Sequence, residues 1–561
     1  MWGRDLMFRE NCGPHGADRV VRWLDHASQI VSSCAVGSPF FGFGAPSWCA
    51  LDDERAALVR SDGSVAIVAR DGQLVHEYSL DEGVSRGFVR RVSNDSFVLI
   101  ANCGPSLGRK VECWTVTGEN SVLFRTEDFM SDLVVSEDGK SLAWLQFAVG
   151  TRPWEQAHLW RANFNSEGAL KVSDCRVGPL CAQPFFVGSD LFVCVEIDEW
   201  WSLVHVGDTN KFIDLPPADY RPDGSDGRGW MAPLSGGLLL GAHRDSRARF
   251  YFWRDDEAVV EVHGGPSCIH EMLGTPTGVV VLGSTTVSVS QLWHLDATSL
   301  KWTCWDDERG DGKVSGEPVF GRTRLGVPYV RRDAQGTKQP GLVVSVHGGP
   351  TACASFEFSW LAELVVRAGF TFVSVDHRGS TSYGRAHREA LAGHWGEFDV
   401  ADLTNVIDEL VASGEFDPDR VFVRGSSAGA MTALLASCHH AVRGVVATSS
   451  VTDLALLARA EDEFSTGEVA HLTGASTFND ALYESRSPLS FVSQIARRVL
   501  LLHSVDDPVV NIEQARTLAQ RLRETHHEVE LLEFEGEGHS IRHSDNVRAA
   551  YERELAFYAA R

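Results

Sequence analysis

The sequence predicts a multidomain chain in which an antiparallel β half, closed as a β-propeller of about seven blades, precedes an α/β half. Three observations predict it. From about residue 45 to 315 the chain reads as short apolar runs bounded by Gly, Asp, Ser or Asn, the pattern of strands and turns. No long helical period interrupts those runs. From about residue 340, strands alternate with helices, which implies a mostly parallel sheet covered on both faces. A length of 561 residues is also too great for one hydrophobic core.

In chain order, residues 17–33 (ADRVVRWLDHASQIVSS) read as a helix. Val20, Val21, Trp23, Leu24, Ala27 and Ile30 fall close to one helical face. Residues 1–44 are therefore expected to be a helical segment packing on the C-terminal domain. Strands are expected at SVAIVAR (64–70), SFVLIAN (96–102), SLAWLQF (141–147), DLFVCVEI (190–197), GLLLGAH (237–243), RFYFWR (249–254) and GVVVLGS (278–284). A propeller with roughly 40 residues per blade fits the length, and is assigned to 45–320. A large sandwich or two stacked barrels is the rival.

The α/β domain is assigned to 321–561. GLVVSVHGG is a nearly continuous apolar run, as expected of a strand buried on both faces. WLAELVVRAG (360–369) reads as a helix and FTFVSVD (370–376) as a strand. DLTNVIDELVAS (402–413) reads as a helix, and RVFVRGSSAG (420–429) as a strand ending in a tight Gly-rich turn. GAMTALLASC continues as a helix, and VRGVVATS, RVLLLHS and VELLEFEG supply further strands. Active sites in such sheets lie at the carboxyl ends of the strands.

The charge narrows the partners. With 76 acidic and 51 basic side chains the formal net charge is −25, which disfavours nucleic acid and anionic membrane surfaces. No run of 18 apolar residues suggests a membrane span, and the first 20 residues lack the apolar stretch of a secretory signal. Twelve cysteines are scattered without CxxC pairs or zinc spacing, so reduced thiols, a cytoplasmic location and no metal or other cofactor are expected. Homo-oligomerisation is left open.

The chemistry concentrates in the second half. Gly425-Ser426-Ser427-Ala428-Gly429 fits the G-x-S-x-G nucleophile elbow, with a strand before it and a helix after it, so the domain reads as an α/β-hydrolase. A serine hydroxyl needs a base, and the base needs an orienting acid, in the chain order Ser, acid, His. Asp507 follows a strand 80 residues after Ser427, and His539 follows another strand 32 residues later. Asp506 competes for the acid role on spacing alone, and His543 is a weaker rival to His539. His347-Gly348-Gly349-Pro350 follows the first buried strand, where an HGGG-type loop presents a backbone N–H to a substrate oxyanion. The amides of Gly349 and Ala428 are expected to pair there. A second copy, His263-Gly264-Gly265-Pro266, reads as a turn.

From these motifs the chain resembles the prolyl oligopeptidase family of serine peptidases, especially its acylaminoacyl-peptidase and dipeptidyl-peptidase-like bacterial branch. VSVHGGPTA, VDHRGSTSYGRAHREAL, HWGEFDVADL, DPDRVFVRGSSAGAMTALL, SPLSF, DDPVVNIEQA and FEGEGHSIRHSDN run in the family's order. The resemblance is strong over 340–561 and fainter in the first half, at VVSEDGKSLAWLQF and AQPFFVGSDLFVCVEIDEWW. It implies that the acid lies four residues after the start of an HGxxD segment, with a Val three residues beyond. His503 and Val510 frame Asp507 in that register. It also implies a propeller lid that limits access to short peptides. Ala430, Ser504 and Asn511 depart from the family pattern, and so does EDEFS (461–465), which lacks a basic residue. The double-Glu motif for a substrate amine is not seen.

Softer candidates surround this set. Arg378 is a candidate for substrate carbonyl or carboxylate, against an ion pair with Asp399 or Asp402. Phe356, Phe358 and Trp360 are candidates for an apolar pocket, against plain core. Glu461, Asp462 and Glu463 are candidates for a peptide N-terminus, against a solvated loop. The expected function is a serine peptidase that hydrolyses short peptides through an acyl-enzyme. The alternatives are an esterase, amidase or acyltransferase that tailors one small molecule, and a propeller binding module with a relic hydrolase domain.

Overall fold

The computed structural model describes residues 6–10, 19–24, 27–30 and 45–560, apart from 61, 79–82, 165–169, 222–228, 256, 306–315, 337, 440–441 and 478–480. The strand-rich half forms seven separate antiparallel sheets among these residues, one of three strands and six of four. Each four-stranded sheet is a meander of consecutive strands. The innermost strands are Trp48–Ala50, Ser85–Ser93, Phe129–Val135, Leu180–Val187, Met231–Leu234 and Cys268–Thr275. From the first to the sixth, each packs against the next in this series, which is the radial repetition of a propeller. The expected strands are interior strands of these blades: Ser96–Asn102, Ser141–Phe147 and Gly278–Ser284 match to the residue.

The N-terminal expectation is corrected. Residues 17–33 contain no helix among the described positions; Arg19–Leu24 and Ala27–Ile30 are strands. Arg19–Leu24 pairs antiparallel with Leu6–Glu10 on one side and Ala27–Ile30 on the other. A short apolar run fits a helical and an extended period alike, and Val20, Val21 and Trp23 favour the extended form once strand partners are present.

The C-terminal sheet has eight strands. They are β1 (Val319–Arg322), β2 (Pro328–Arg332), β3 (Gly341–Val346), β4 (Phe370–Val375), β5 (Val421–Ser426), β6 (Gly444–Thr448), β7 (Arg498–Ser504) and β8 (Glu528–Phe534). Their order is β1-β2-β4-β3-β5-β6-β7-β8, parallel from β4 to β8. β1 begins two residues before the expected domain start at 321. The strands bury both faces. Helices Phe398–Ala412, Ala428–Ala436 and Glu513–Glu524 pack with Val344, Val423 and Leu501 on one face. Helices Trp360–Arg367 and Ser544–Ala559 pack with Val343, Phe422 and Leu500 on the other. The chain steps from β3 out to β4 and returns to β5 on the other side of β3. This switch opens a crevice at the carboxyl ends of β3 and β5.

The halves interlock through polar contacts. The hairpin tip Asp245–Ser246, both residues at positive φ, reaches into the α/β half. There Ser246 Oγ donates to Asp376 Oδ2 at 2.6 Å, and the Ser246 N–H donates to Ser382 Oγ at 2.8 Å. Arg388 forks onto Glu196, with both side chains buried, at 2.9 and 2.6 Å. Phe464 of the α/β half sits in the aromatic cluster of Phe129 and Phe147 in a propeller blade.

Candidate active site

The elbow is built by close backbone packing. β5 ends at Ser426 and a helix starts at Ala428, leaving Ser427 between them at φ 55° and ψ −123°. A Cβ on Gly425 would lie 2.1 Å from the Gly429 carbonyl oxygen, and one on Gly429 would lie 2.3 Å from the His347 carbonyl oxygen. Only glycine fits at either place. The Ser427 N–H donates to the Thr448 carbonyl at 2.9 Å, tying the turn to β6.

Three sequence-distant side chains then meet. His539 Nε2 lies 3.0 Å from Ser427 Oγ. His539 Nδ1 lies 2.9 and 2.8 Å from the two Asp507 carboxylate oxygens. An acceptor-only carboxylate requires Nδ1 to carry the proton, which leaves Nε2 to accept from the serine hydroxyl. Asp507 also accepts from the Val509 and Val510 amides at 2.9 and 3.0 Å. Burial alone would raise its pKa, but the His539 hydrogen bond and charge and these two amides hold it below the ordinary 3.8. Asp506, the rival acid, is exposed. His543, the rival base, is the N-cap residue of the last helix, and its N–H donates to Glu537.

Residues to which the sequence reading gave no supporting role hold the loops of Asp507 and His539. Ser449, just beyond β6, donates to the His539 carbonyl at 3.1 Å. Ser504, the last residue of β7, donates to the Glu537 carbonyl, two residues before His539. The Glu537 carboxylate accepts from the Arg542 and His543 amides and from Asn546 Nδ2, each at 2.9 Å. Buried His503 donates from Nε2 to the Val510 carbonyl at 2.8 Å behind Asp507, and burial pushes its pKa down. The one available signal was position: Ser449 and Ser504 lie at carboxyl ends of parallel strands.

The loop after β3 abuts the elbow. A Cβ on Gly348 would lie 3.4 Å from Ser427 Cβ. His347 Nδ1 lies 2.8 Å from the Gly348 carbonyl oxygen, and its Nε2 lies 2.7 Å from Ser380 Oγ. The imidazole thus holds the Gly348 carbonyl on its own side. In a trans peptide the following N–H, that of Gly349, points the opposite way. Ala428 opens the helix after Ser427, where the first N–H groups have no intrahelical acceptor.

The softer candidates are placed elsewhere. Arg378 is committed to Asp402: its Nε lies 3.1 and 3.0 Å from the two oxygens, and Nη2 lies 2.8 Å from Oδ1. Its guanidinium also covers the Phe398 ring at 4.0 Å. This corrects its expected substrate role, because a bidentate carboxylate partner already fills the fork. Phe356 is 1% exposed, packs with Val330 and Ala354, and lies under Arg247 at 4.4 Å; it is interface core, not pocket lining. Trp360 is 58% exposed and meets Phe358 edge-on at 4.8 Å. Glu463 pairs with Arg109 of the propeller at 2.7 Å, so that the two halves are tied there instead of a peptide amine being received. The second HGGP copy lies in a bend, as read. It lines a cavity of about 310 Å³ together with Arg247, Arg249, Glu261 and Glu317, and none of Ser427, Asp507 and His539 lines it.

Residues 356–561 match the model described as the prolyl oligopeptidase family. Dipeptidyl peptidase family member 6 of Caenorhabditis elegans is 26% identical over 213 residues, 36% of this chain and 29% of that protein. The acylamino-acid-releasing enzyme of Arabidopsis thaliana is 26% identical over 220 residues, 38% of this chain and 28% of that protein. The matched segment thus spans less than a third of these relatives. Over the whole chain, the fold is similar to a puromycin-hydrolyzing peptidase of Mycobacterium tuberculosis. The TM-score is 0.90 at 21% identity, over 100% of this chain and 93% of that one. Dipeptidyl peptidase 4 of Porphyromonas gingivalis gives 0.73 at 12% identity, over 99% and 88%. Propeller plus α/β-hydrolase is therefore the architecture of this chain.

Proposed function

We propose that the chain is a serine peptidase that hydrolyses short peptides. The observation that carries this reading is the hydrogen-bonded series Ser427–His539–Asp507 at the elbow. Ser427 Oγ attacks the scissile carbonyl as His539 Nε2 takes its proton, and Asp507 stabilises the imidazolium that forms. The Gly349 and Ala428 amides hold the oxyanion. His539 then protonates the leaving amine, and water clears the acyl-enzyme by the same steps in reverse order. The family match of the C-terminal domain and the names of its relatives support amide chemistry.

The propeller and the hydrolase sheet are the two units of this reading, with the boundary placed before Val319. No helix among the described residues is long and apolar enough to cross a membrane. A cytoplasmic site is supported by the ten described cysteines, none of which is in a disulfide.

The test is a panel of N-acylated and free short peptide amides, simple esters and puromycin, with products identified by mass. Amide cleavage that falls about 10⁴-fold or more in Ser427→Ala supports the proposal. Turnover of esters alone, or acyl transfer without hydrolysis, would replace it with the small-molecule reading.

A further inference from the structure

A second cluster of chemistry lies where the last described blade meets the α/β half. Cys268 and His270 stand two residues apart on that blade's innermost strand. The ladder register slips between Ile269 and Glu271, at His270. Glu357 approaches from the other half. One ligand atom from each of these three residues lies within 4.8 Å of the other two. His270 Nε2 and Glu357 Oε2 are 3.9 Å apart.

Glu357 is held in place from both sides. The Phe356 N–H donates to the Ser246 carbonyl at 3.1 Å, and the Phe358 N–H donates to the Thr285 carbonyl at 2.7 Å. Arg332 Nη2 donates to the Glu357 carbonyl oxygen at 2.6 Å. Ser284 Oγ donates to its carboxylate at 3.3 Å, a contact of the kind that orients a metal ligand from behind.

We infer that Cys268, His270 and Glu357 form a site for a divalent transition cation of the zinc class. Thiolate, imidazole and carboxylate are the donors that such a cation takes. Bonds of about 2.0–2.3 Å set tetrahedral ligand atoms roughly 3.3–3.8 Å apart, so shifts of about 1 Å close the set. On binding, the Cys268 thiol gives its proton to solvent and the sulfur binds the metal as thiolate. Three protein ligands leave the fourth position to water. Because Cys268 and His270 belong to the blade and Glu357 to the segment that follows the Gly349 loop, the bound cation ties the two halves together.

No sequence signal marks this site. A C-x-H pair is not a recognised zinc spacing, and Glu357 lies 87 residues beyond His270.

The test uses the full chain, stripped with a chelator, dialysed and titrated with Co²⁺. One Co²⁺ per chain with a thiolate-to-cobalt charge-transfer band is expected. Cys268→Ser should abolish the band, and Glu357→Gln and His270→Gln should each weaken Co²⁺ binding about 10-fold or more, with circular dichroism unchanged. Glu357→Gln changes a 39%-exposed side chain, so it keeps the test decisive if Cys268→Ser fails to fold. The inference is overturned if no charge-transfer band forms, if the band survives in folded Cys268→Ser, or if Glu357→Gln binds Co²⁺ as tightly as the parent.

Discussion

At the scale of single residues, the site depends on keeping Asp507 charged in a buried place. Two backbone amides and His539 offset the cost of burial. The folded-state pKa lies below the ordinary value, so the charged carboxylate contributes stability that is present above about pH 4. That contribution is lost as pH falls through the lower folded value. Asp507→Asn should therefore lower Tm at pH 7, with the gap to the parent narrowing as pH falls through the lowered folded-state pKa. Thermal unfolding across pH checks this, and a gap independent of pH would count against it. The residue scale was also where the sequence was most legible: the elbow glycines, the order Ser, acid, His and the HGxxD register named the residues that meet. Asp507 was separable from Asp506 only through the family register, because spacing does not report burial. The ion pair of Arg378 with Asp402 was one of its two readings in the sequence, whereas Glu463 was misplaced because its partner, Arg109, lies 354 residues away.

At the scale of elements, strand ends set the geometry. β5, β6, β7 and β8 run parallel, so the loops after them open on one edge of the sheet. Ser504 closes β7 and binds the loop that carries His539. The family pattern has Gly at this position, and the hydroxyl adds a tie that glycine lacks. A neutral hydrogen bond contributes about 1 kcal/mol net. Ser504→Gly should therefore lower kcat about 5-fold with KM little changed, because the tie positions the base and does not hold substrate. Steady-state kinetics on a short peptide amide checks the split; a change confined to KM would contradict the positioning role. Interior blade strands such as Ser96–Asn102 were legible because both faces are buried and the run is continuously apolar. Outer strands such as Asn120–Thr126 and Lys211–Asp214 are largely exposed and mix polar with apolar residues, and so carried no clear signal. The N-terminal strands were misread because six residues are too few to separate a helical from an extended period.

At the scale of the whole molecule, the two halves are joined by buried polar contacts whose partners come from distant parts of the chain. Arg388–Glu196, Ser246–Asp376 and Arg109–Glu463 each pair a propeller residue with one from the α/β half. Removing one partner of a buried ion pair costs about 3–5 kcal/mol. No periodicity encodes these pairs, so the docking of the halves was not legible, although both folds were. Buried Asp376 links the docking to the loop at the elbow: it accepts from Ser246 of the propeller and, at 2.6 Å, from the Ala354 N–H five residues after Gly349. The central claim is nonetheless local, that His539 makes Ser427 a nucleophile. Labelling the full chain with a fluorophosphonate and locating the adduct by peptide mass spectrometry tests it most directly. The account predicts one adduct per chain, on Ser427, absent in Ser427→Ala and formed at least about 10³-fold more slowly in His539→Ala. A folded protein that takes no label, or takes it on another serine, would contradict it.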